Sequence, residues 1–382
     1  MYTPKTEVVI IGAGIMGLST AYYLTKKGIK VSIVEQLPYL GGFSTSKCAG
    51  GFRSQFNTKL NVELSLRNQI LLKELVNEHH LKLRVNRCGY YFLAKHQQEA
   101  DMLQEAVKLQ NSMGINTYTV YGNILEEKLP YINCEDILMA SVNETEGLME
   151  VNDLTSFLIN YLKKEKVSMY LNTKVLDVEF VGGKVDCVRT SKGIIKTSSL
   201  VIAAGAWSRE IANVLGIELP ITCKAQQLFL TTPVEWAYKL PIVVFLHNGL
   251  GFHTQSQRIV SGMTKDVEQK CAGGVDNDWL FTHCVEAVRY MPSIAELQIA
   301  SEWWGYYEST PDDKPIISRL SKPAIYCMAG FDGHGLMHGL VAGEIMSSII
   351  MRETYYEINT DEIAYKRFKS KGVQEYKSEI RI

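Results

Sequence analysis

Three glycines near the start of the chain have the spacing of a phosphate-binding turn. Gly12, Gly14 and Gly17 form a G-x-G-x-x-G motif. The first glycine of such a motif makes a tight turn, the second admits a pyrophosphate, and the third lets helix and strand pack closely. Glu35 follows roughly twenty residues later, where an acidic side chain binds ribose hydroxyls. The motif predicts a dinucleotide site.

A second group of residues with chemical potential lies near the other end of the chain. Residues 331–339 read "FDGHGLMHG", after the strand-like "AIYCMAG" and before "LVAGEIMSSII". Glycines at such a junction let the backbone approach a ligand closely. They are also found where a strand simply turns into a helix, for steric reasons alone. Both interpretations stay open for Gly330, Gly333 and Gly335.

The elements that would position the first motif follow it in order. The run "VVII" at 8–11 is typical of a strand buried on both faces of a parallel sheet. "LSTAYYLTKKG" has helical periodicity, and "KVSIVEQ" supplies a second strand. A Gly/Ser-rich loop, "LPYLGGFSTSKCAGGFRSQF", comes next, and such long loops are usually functional. These elements predict an α/β nucleotide-binding unit.

FAD is favoured over NAD by a second glycine-marked strand end. In "KTSSLVIAAGAWSREIANVLG" at 196–216, a buried strand ends at Gly205 and passes into a helix. Segments so far apart would together hold a long cofactor, whereas a small NAD dehydrogenase continues as a regular βαβ series. A nicotinamide-dependent Rossmann dehydrogenase remains the alternative.

Composition excludes several other classes of protein. Lys+Arg 40 against Asp+Glu 41 gives a net charge of -1, which offers no reason to propose a nucleic acid as partner. The eight cysteines are scattered without a C-x-x-C pair, so we expect reduced thiols, no disulfide framework and no metal site. We find no signal peptide and no apolar window long enough for a bilayer, and therefore predict a cytoplasmic location.

The sequence resembles the D-amino-acid-oxidase-like superfamily of FAD-dependent oxidoreductases, in its glycine oxidase and sarcosine oxidase branch. The matching segments are "VVIIGAGIMGLSTAYYLTKKG", "STSKCAGGFRSQF", "VIAAGAWS", "GYYESTPDDKPII" and "AGFDGHGLMHGLVAGEIM". They bracket nearly the whole chain. The similarity is greatest to the β subunits of sarcosine oxidase and of proline dehydrogenase, which often carry a G-G-x-R-x-Q-F run like residues 50–56.

The resemblance implies an α/β fold (α+β overall). We expect a Rossmann-like, glutathione-reductase-type FAD-binding domain and a second substrate domain with a mixed antiparallel sheet. The FAD-binding domain would be discontinuous, comprising 1–85, 146–219 and 310–382. The substrate domain would comprise 86–145 and 220–309, and a ligand would bind between the two.

The resemblance also implies where FAD is held. The G-H-G loop would lie against the flavin, with the positive end of the following helix favouring reduced anionic flavin. Relatives with covalent FAD use a cysteine where this chain has Gly305, so we expect non-covalent FAD. The implied cofactor-binding residues are Gly12, Gly14, Ile15, Met16, Gly17, Glu35, Gln36, Ser44, Thr45, Arg53, Val175, Ala204, Gly205, Trp207, Gly305, Gly330, Gly333, His334, Gly335, Leu336 and Met337.

The implied activity is oxidation of the Cα–N bond of a small amino acid or secondary amine (proline, sarcosine or glycine type) to an imine, by hydride transfer to flavin N5. A substrate carboxylate needs a cation, and an arginine fork is best suited. Arg53 is the first candidate for that role, although it could instead contact an FAD phosphate or form a surface ion pair. His334 could bond near the flavin, shuttle protons or fix its own loop.

Two departures from the relatives leave the specificity open. Glycine oxidase has a carboxylate-binding arginine where this chain has Tyr307, and monomeric sarcosine oxidase has a lysine where it has Met337. Tyr306, Tyr307 and His253 could contact substrate or could be packed strand residues. Trp303 and Trp304 are expected in the core of the sheet.

Two further alternatives concern partners. The chain could be a flavin-carrying electron-transfer subunit of a heteromeric dehydrogenase, without its own substrate site. It could also assemble with a partner subunit or as a homo-oligomer. An open substrate-side cavity that contains a cation would favour an enzyme with its own site.

Overall fold

The computed structural model describes residues 4–265 and 274–368. Cys271, which was expected to be reduced, and parts of the expected domain ranges 1–85, 220–309 and 310–382 lie outside these residues. No helix in the described part of the chain combines the length and the apolarity needed to cross a bilayer.

The strands, in chain order, are β1 Val8–Ile11, β2 Val31–Val34, β3 Gly51–Phe52, β4 Val85–Asn86, β5 Tyr90–Ala94, β6 Tyr118–Val120, β7 Met139–Asn143, β8 Gly147–Met149, β9 Ser168–Tyr170, β10 Val175–Val181, β11 Lys184–Thr190, β12 Gly193–Lys196, β13 Ser199–Ile202, β14 Thr222–Thr231, β15 Ile242–Phe245, β16 Gly251–Gln255, β17 Arg258–Met263, β18 Ile299–Ser309, β19 Ile316–Arg319 and β20 Ile325–Ala329. The α-helices are α1 Ile15–Lys26, α2 Ser44–Lys47, α3 Lys59–His79, α4 Gln97–Ser112, α5 Gly122–Lys128, α6 Val151–Lys164, α7 Ser208–Val214, α8 Asn277–Tyr290 and α9 Gly335–Met351. Short 3₁₀ helices occupy Gly205–Trp207, Glu235–Lys239, Pro292–Glu296, Thr360–Ile363 and Tyr365–Phe368.

A parallel sheet lies at the centre of the nucleotide-binding unit. Its order is β19-β20-β13-β1-β2-β9, and every pair is parallel except β19 with β20. The run "VVII" of β1 is buried on both faces, as its continuous apolarity predicted. Val8 and Ile10 pack with α1 and α9, whereas Val9 and Ile11 pack with β11 and β12. Because both faces are covered, ligand access is left to the strand ends.

A second, mixed sheet carries the other half of the molecule. Its order is β18-β14-β17-β16-β15-β5-β7-β6, antiparallel except where β15 runs parallel to β5. This confirms the mixed antiparallel sheet and the α/β class expected from the sequence. Helices α4 and α8 cover its two faces, through Leu103 and Ala287 respectively. The proposed domain boundaries remain a prediction.

Two local expectations differ from the structure. The Gly/Ser-rich loop after β2 contains one helical turn, α2, and a two-residue strand, β3. Trp303 and Trp304 are half-buried rather than core residues, because β18 is an outer strand of its sheet. The indole N–H of Trp303 donates to the Lys47 carbonyl at 3.0 Å. The Lys47 ammonium lies 4.1 Å from the centroid of the Trp304 ring.

His283 makes the stability of the mixed sheet sensitive to acid. Its side chain is fully buried, Nε2 lies 2.8 Å from Ser261 Oγ, and burial lowers its pKa from 6.5 to about 4. Below pH 6.5 the His283 side chain is protonated in the unfolded chain, whereas in the folded protein it stays neutral until about pH 4. The free energy of unfolding therefore decreases as the pH falls through this range. The free energy of unfolding of the wild type should decrease between about pH 7 and about pH 5. In His283→Gln we expect this decrease to be smaller by about 2 kcal/mol. Urea unfolding at both pH values measures this, and an unchanged loss in the variant would contradict it.

Candidate functional site

A cleft of about 360 Å³ opens at the carboxyl ends of the parallel strands. Its walls include Gly12 after β1, Glu35 after β2 and Gly205 after β13. The carboxyl edge of a parallel sheet is where folds of this kind bind their ligands. The N-terminus of α1 also faces this cleft, and the N–H groups of a first helical turn have no carbonyl partner within the helix. The cleft therefore offers an anion site.

The glycine motif at this edge has the geometry that its spacing predicted. Gly12 has φ +101°, and a Cβ there would lie 2.3 Å from the Ala203 carbonyl oxygen. A Cβ at Gly17 would lie 2.0 Å from the Gly12 carbonyl oxygen. The lack of a side chain at Gly12 therefore lets the backbone after β1 contact the backbone after β13. The lack of a side chain at Gly17 lets α1 pack closely against the turn at the end of β1. The Gly14 backbone lines the cleft.

Polar groups hold this edge of the cleft in place. The Glu35 carboxylate accepts the N–H of Ala13 and the N–H of Leu37, each at 2.8 Å. The Ile15 N–H donates to the Thr45 hydroxyl at 3.0 Å. Glu35 is buried and fixed at the end of β2, the position from which an acid would reach ribose hydroxyls.

Most of the predicted cofactor residues meet in this cleft. Those that line it are Gly12, Gly14, Ile15, Met16, Glu35, Gln36, Ser44, Thr45, Val175, Ala204, Gly205, Trp207, Gly333, Gly335 and Leu336. Arg53, Gly305, His334 and Met337 line a second cavity instead. Gly17 and Gly330 line neither, and a Cβ on Gly330 would lie 2.5 Å from Thr310.

The second cavity, about 160 Å³ in volume, lies against the mixed sheet. Strands β14, β15, β16 and β17 supply apolar wall residues, including Leu228, Val243, Phe252 and Met263. It shares Ser44, Tyr306, Tyr307, Gly333 and Leu336, among others, with the cleft. A ligand in either space would therefore be a neighbour of a ligand in the other.

Arg53 is buried at the wall of the second cavity, with 1% of its surface exposed. Its guanidinium lies 4.1 Å from the Phe56 ring centroid and 5.0 Å from that of Phe92. It donates to the Gln55 carbonyl, and its NH2 group lies 3.1 Å from His334 Nε2. This degree of burial excludes a surface ion pair, and the position away from the cleft argues against contact with a phosphate.

His334 accepts the hydrogen bond from Arg53, since arginine can only donate. Its Nε2 is therefore unprotonated. Burial, with Arg53 and His338 nearby, holds the pKa of His334 well below its usual value of 6.5. His334 thus orients the guanidinium as a neutral ring. The backbone N–H of His334 also bonds the Phe331 carbonyl at 2.8 Å, which fixes the loop at the start of α9.

A buried carboxyl group, Glu146, completes the surroundings of Arg53. It accepts the Ser54 N–H and, at 2.9 Å, the amide of Gln55. Burial is the main cause that raises the pKa of Glu146 to about 7, and Arg53 opposes the shift. Nothing in the sequence around Glu146 pointed to this role, because it lies far along the chain from Arg53.

The other two candidate residues also reach the second cavity. The Tyr307 ring packs over Gly333, where a Cβ would lie 2.7 Å from the ring. Burial, with Asp332 nearby, raises the pKa of Tyr307, so its hydroxyl stays protonated. His253 on β16 is 8% exposed, and burial lowers its pKa to about 4. All four candidates, Arg53, His334, Tyr307 and His253, therefore line one cavity. His334, Tyr307 and His253 are uncharged there, and Arg53 supplies a buried positive charge. The side chain of Lys47 also lines this cavity.

The sequence pattern of the family described as FAD dependent oxidoreductase (DAO) matches residues 7–349. The chain belongs to this family. Membership makes it an FAD-dependent oxidoreductase and excludes a nicotinamide-dependent Rossmann dehydrogenase.

Relatives of this oxidoreductase include members of the expected branch. Sarcosine oxidase subunit beta of Rhodobacter capsulatus is 25% identical over 378 residues, which cover 96% of this chain and 89% of the relative. FAD-dependent oxidoreductase domain-containing protein 1 of Xenopus laevis is 25% identical over 429 residues, with coverages of 96% and 83%. The structure of L-proline dehydrogenase from P. horikoshii superposes with a TM-score of 0.88 and 26% identity, covering 96% of this chain and 99% of that one. Glycine oxidase from Geobacillus kaustophilus has a TM-score of 0.85 at 20% identity, with coverages of 96% and 99%.

The residues of the oxidoreductase cleft fit FAD. The cradle at Gly12 leaves no space for a Cβ, the α1 N-terminus offers N–H donors, and Glu35 is fixed for a ribose. The sequence did not point to several residues of the cleft, among them Phe43, Lys174, Glu308 and Asp332. Phe43 has φ 50°, and its ring centroid lies 4.3 Å from that of Trp207. Because this contact joins segments that are far apart in the chain, no local sequence pattern indicates that Phe43 lines the cleft.

Proposed function

We propose that this protein oxidises the Cα–N bond of a small amino acid or secondary amine of the proline, sarcosine or glycine type. The observation that carries the proposal is a small cavity that contains the buried cation Arg53 and shares wall residues with the FAD cleft. A non-catalytic electron-transfer subunit would need no such cavity.

The size of the cavity supports a small substrate. Its volume of about 160 Å³ is close to that of apolar protein cavities that hold a molecule of benzene size. Proline, sarcosine and glycine fall within that size, whereas an amino acid with a bulky aromatic side chain exceeds it.

The residues of the cavity would bind and prepare the substrate. The Arg53 guanidinium would bind the carboxylate through its fork, and His334 would hold the guanidinium in position. Apolar walls from β14 to β17 disfavour an ammonium ion, so the amine would lose its proton on entry. The neutral His253 ring faces the same space and could accept a hydrogen bond from that amine. Bound FAD supplies an acceptor for the hydride of the α-carbon.

Two further proposals concern how FAD is attached and how the chain assembles. We propose non-covalent FAD, since Gly305 offers no thiol at the position where covalently flavinylated relatives carry one. We also propose assembly with a partner subunit or as a homo-oligomer, and a relative that is itself named as a subunit supports the first of these. The cytoplasmic location remains a prediction.

Anaerobic reduction of the bound flavin tests the proposal. Proline, hydroxyproline, sarcosine, glycine and D-alanine are added in turn to purified holoprotein, and the visible flavin absorbance is followed. We expect at least one compound to bleach it. Pyrrolidine, which lacks the carboxylate of proline, serves as the matched control and should react at least about 100-fold more slowly. A flavin that dithionite reduces but none of the five amino acids reduces would contradict the proposal.

A further inference from the structure

A second buried carboxyl group, Glu308, faces the FAD cleft without an evident role in substrate binding. It belongs to β18 and is 8% exposed, and it lines the cleft but not the second cavity. Its Oε2 lies 3.9 Å from where a Cβ would stand on Gly205, the glycine at the end of β13. Glu308 is therefore placed among backbone segments that hold the cofactor.

The surroundings of Glu308 oppose a negative charge. Within residues 4–265 and 274–368, no Lys or Arg side chain forms an ion pair with its carboxylate. Its backbone carbonyl bonds the Asp332 N–H at 2.8 Å, so that a second acid, which lines the same cleft, is close by. A buried carboxylate without a cation and beside another acid is costly. Burial first, and Asp332 second, raise the pKa of Glu308 to about 8.

The other titratable groups do not provide the missing cation. Burial first, and Glu308 second, raise the pKa of Cys327 on β20, which stays a neutral thiol. The remaining titratable groups that line the cleft are Glu35, Cys48, Lys174, Glu210, Tyr306 and Tyr307. Glu308 lies beside Gly205, which follows β13, and beside Asp332, which follows β20. Lys174, the one cation among these groups, precedes β10 and is not among the groups that shift the pKa of Glu308.

We propose that Glu308 is a protonated carboxylic acid that donates a hydrogen bond to the bound FAD, so that its ionisation weakens FAD binding. A protonated carboxyl is a donor, and FAD presents carbonyl, hydroxyl and phosphate oxygens as acceptors. An ionised Glu308 would lose the donor and would repel an anionic cofactor.

The direction of the pH effect follows from linkage. FAD that binds only the protonated form has full affinity below the pKa of Glu308 in the free protein. Above that pKa, at about 8, affinity falls by up to about tenfold per pH unit. The inference rests on FAD binding and does not depend on which amine is oxidised.

The dissociation constant of FAD between about pH 6 and about pH 9.5 tests the proposal. Free FAD released on dilution of the holoprotein is measured by its fluorescence. We expect the wild-type constant to be nearly flat to about pH 8 and to rise about 30-fold by about pH 9.5. Glu308→Gln, which keeps the size and an N–H donor, should bind within about threefold of wild type at about pH 7 and stay flat to about pH 9.5. Glu210→Gln, a change to an exposed acid of the same cleft, should keep the wild-type rise.

Two outcomes would overturn the proposal. One is a wild-type constant that does not change with pH, and the other is the same pH-dependent rise in wild type and Glu308→Gln. Infrared difference spectra of the holoproteins give a second readout. The wild type should show the C=O stretching band of a protonated carboxyl at about pH 7 that Glu308→Gln lacks, and its absence would also overturn the proposal.

Discussion

Replacing Arg53 with methionine is expected to lower kcat/KM for the amino-acid substrate by about 100- to 1,000-fold. Losing one partner of a desolvated charge pair costs about 3–4 kcal/mol, which corresponds to that factor. Methionine keeps much of the volume between the Phe56 and Phe92 rings. The loss should therefore come from the missing cation rather than from a collapsed cavity. Stopped-flow reduction of the flavin by proline or sarcosine measures it.

Two controls separate binding of the carboxylate from general damage. Arg87→Met removes an arginine that lies over the Phe52 ring and lines neither cavity, and it should leave kcat/KM within about threefold of wild type. Arg53→Lys keeps the charge but loses the fork and should fall between the two. Reduction by dithionite should be unchanged in every variant. An Arg53→Met protein that sarcosine or proline reduces at the wild-type rate would show that the carboxylate binds elsewhere.

Substituting Gly12 with alanine is expected to prevent stable FAD binding. The substitution forces a side chain into φ +101° and places its Cβ 2.3 Å from the Ala203 carbonyl oxygen. The backbone strain and the displacement of the segment after β13 should together raise the free energy of the FAD-bound protein by about 3 kcal/mol. This corresponds to a loss of about 100-fold in FAD affinity. Purified Gly12→Ala protein should be nearly colourless, and its FAD content is measured from absorbance after denaturation.

Gly28 offers a matched control for this substitution. It has φ +80°, but a Cβ there would meet nothing within 4 Å. Gly28→Ala should therefore cost only about 1 kcal/mol of stability and keep its full FAD content. If Gly12→Ala retained FAD as Gly28→Ala does, the close junction of β1 with β13 would not be part of the cofactor site.

The nucleotide-binding half was predictable because its signals are local. The turn from β1 into α1 and the acid after β2 lie within one short segment, and each has a pattern that few other structures share. The parallel sheet follows from the apolar run of β1, which is buried on both sides. The glycine at 205 marked the second wall of the cleft for the same reason.

The substrate half could be predicted only as a set of candidates. Arg53 and His334 are separated by 281 positions in sequence, and no pattern near either one indicates that they bond. The same holds for Glu146, which reaches Ser54 across 92 positions. Trp303 and Trp304 look like core residues by composition, and only the strand order shows that β18 is at the edge. Tertiary contacts decide these roles.

A crystal structure of the holoprotein with pyrrole-2-carboxylate, a planar analogue of proline that flavin does not oxidise, tests the central claim most directly. The account predicts FAD in the cleft at the Gly12 turn and the analogue in the adjoining cavity, with its carboxylate in hydrogen-bond contact with Arg53. FAD bound outside that cleft, or a carboxylate that makes no contact with Arg53, would contradict it.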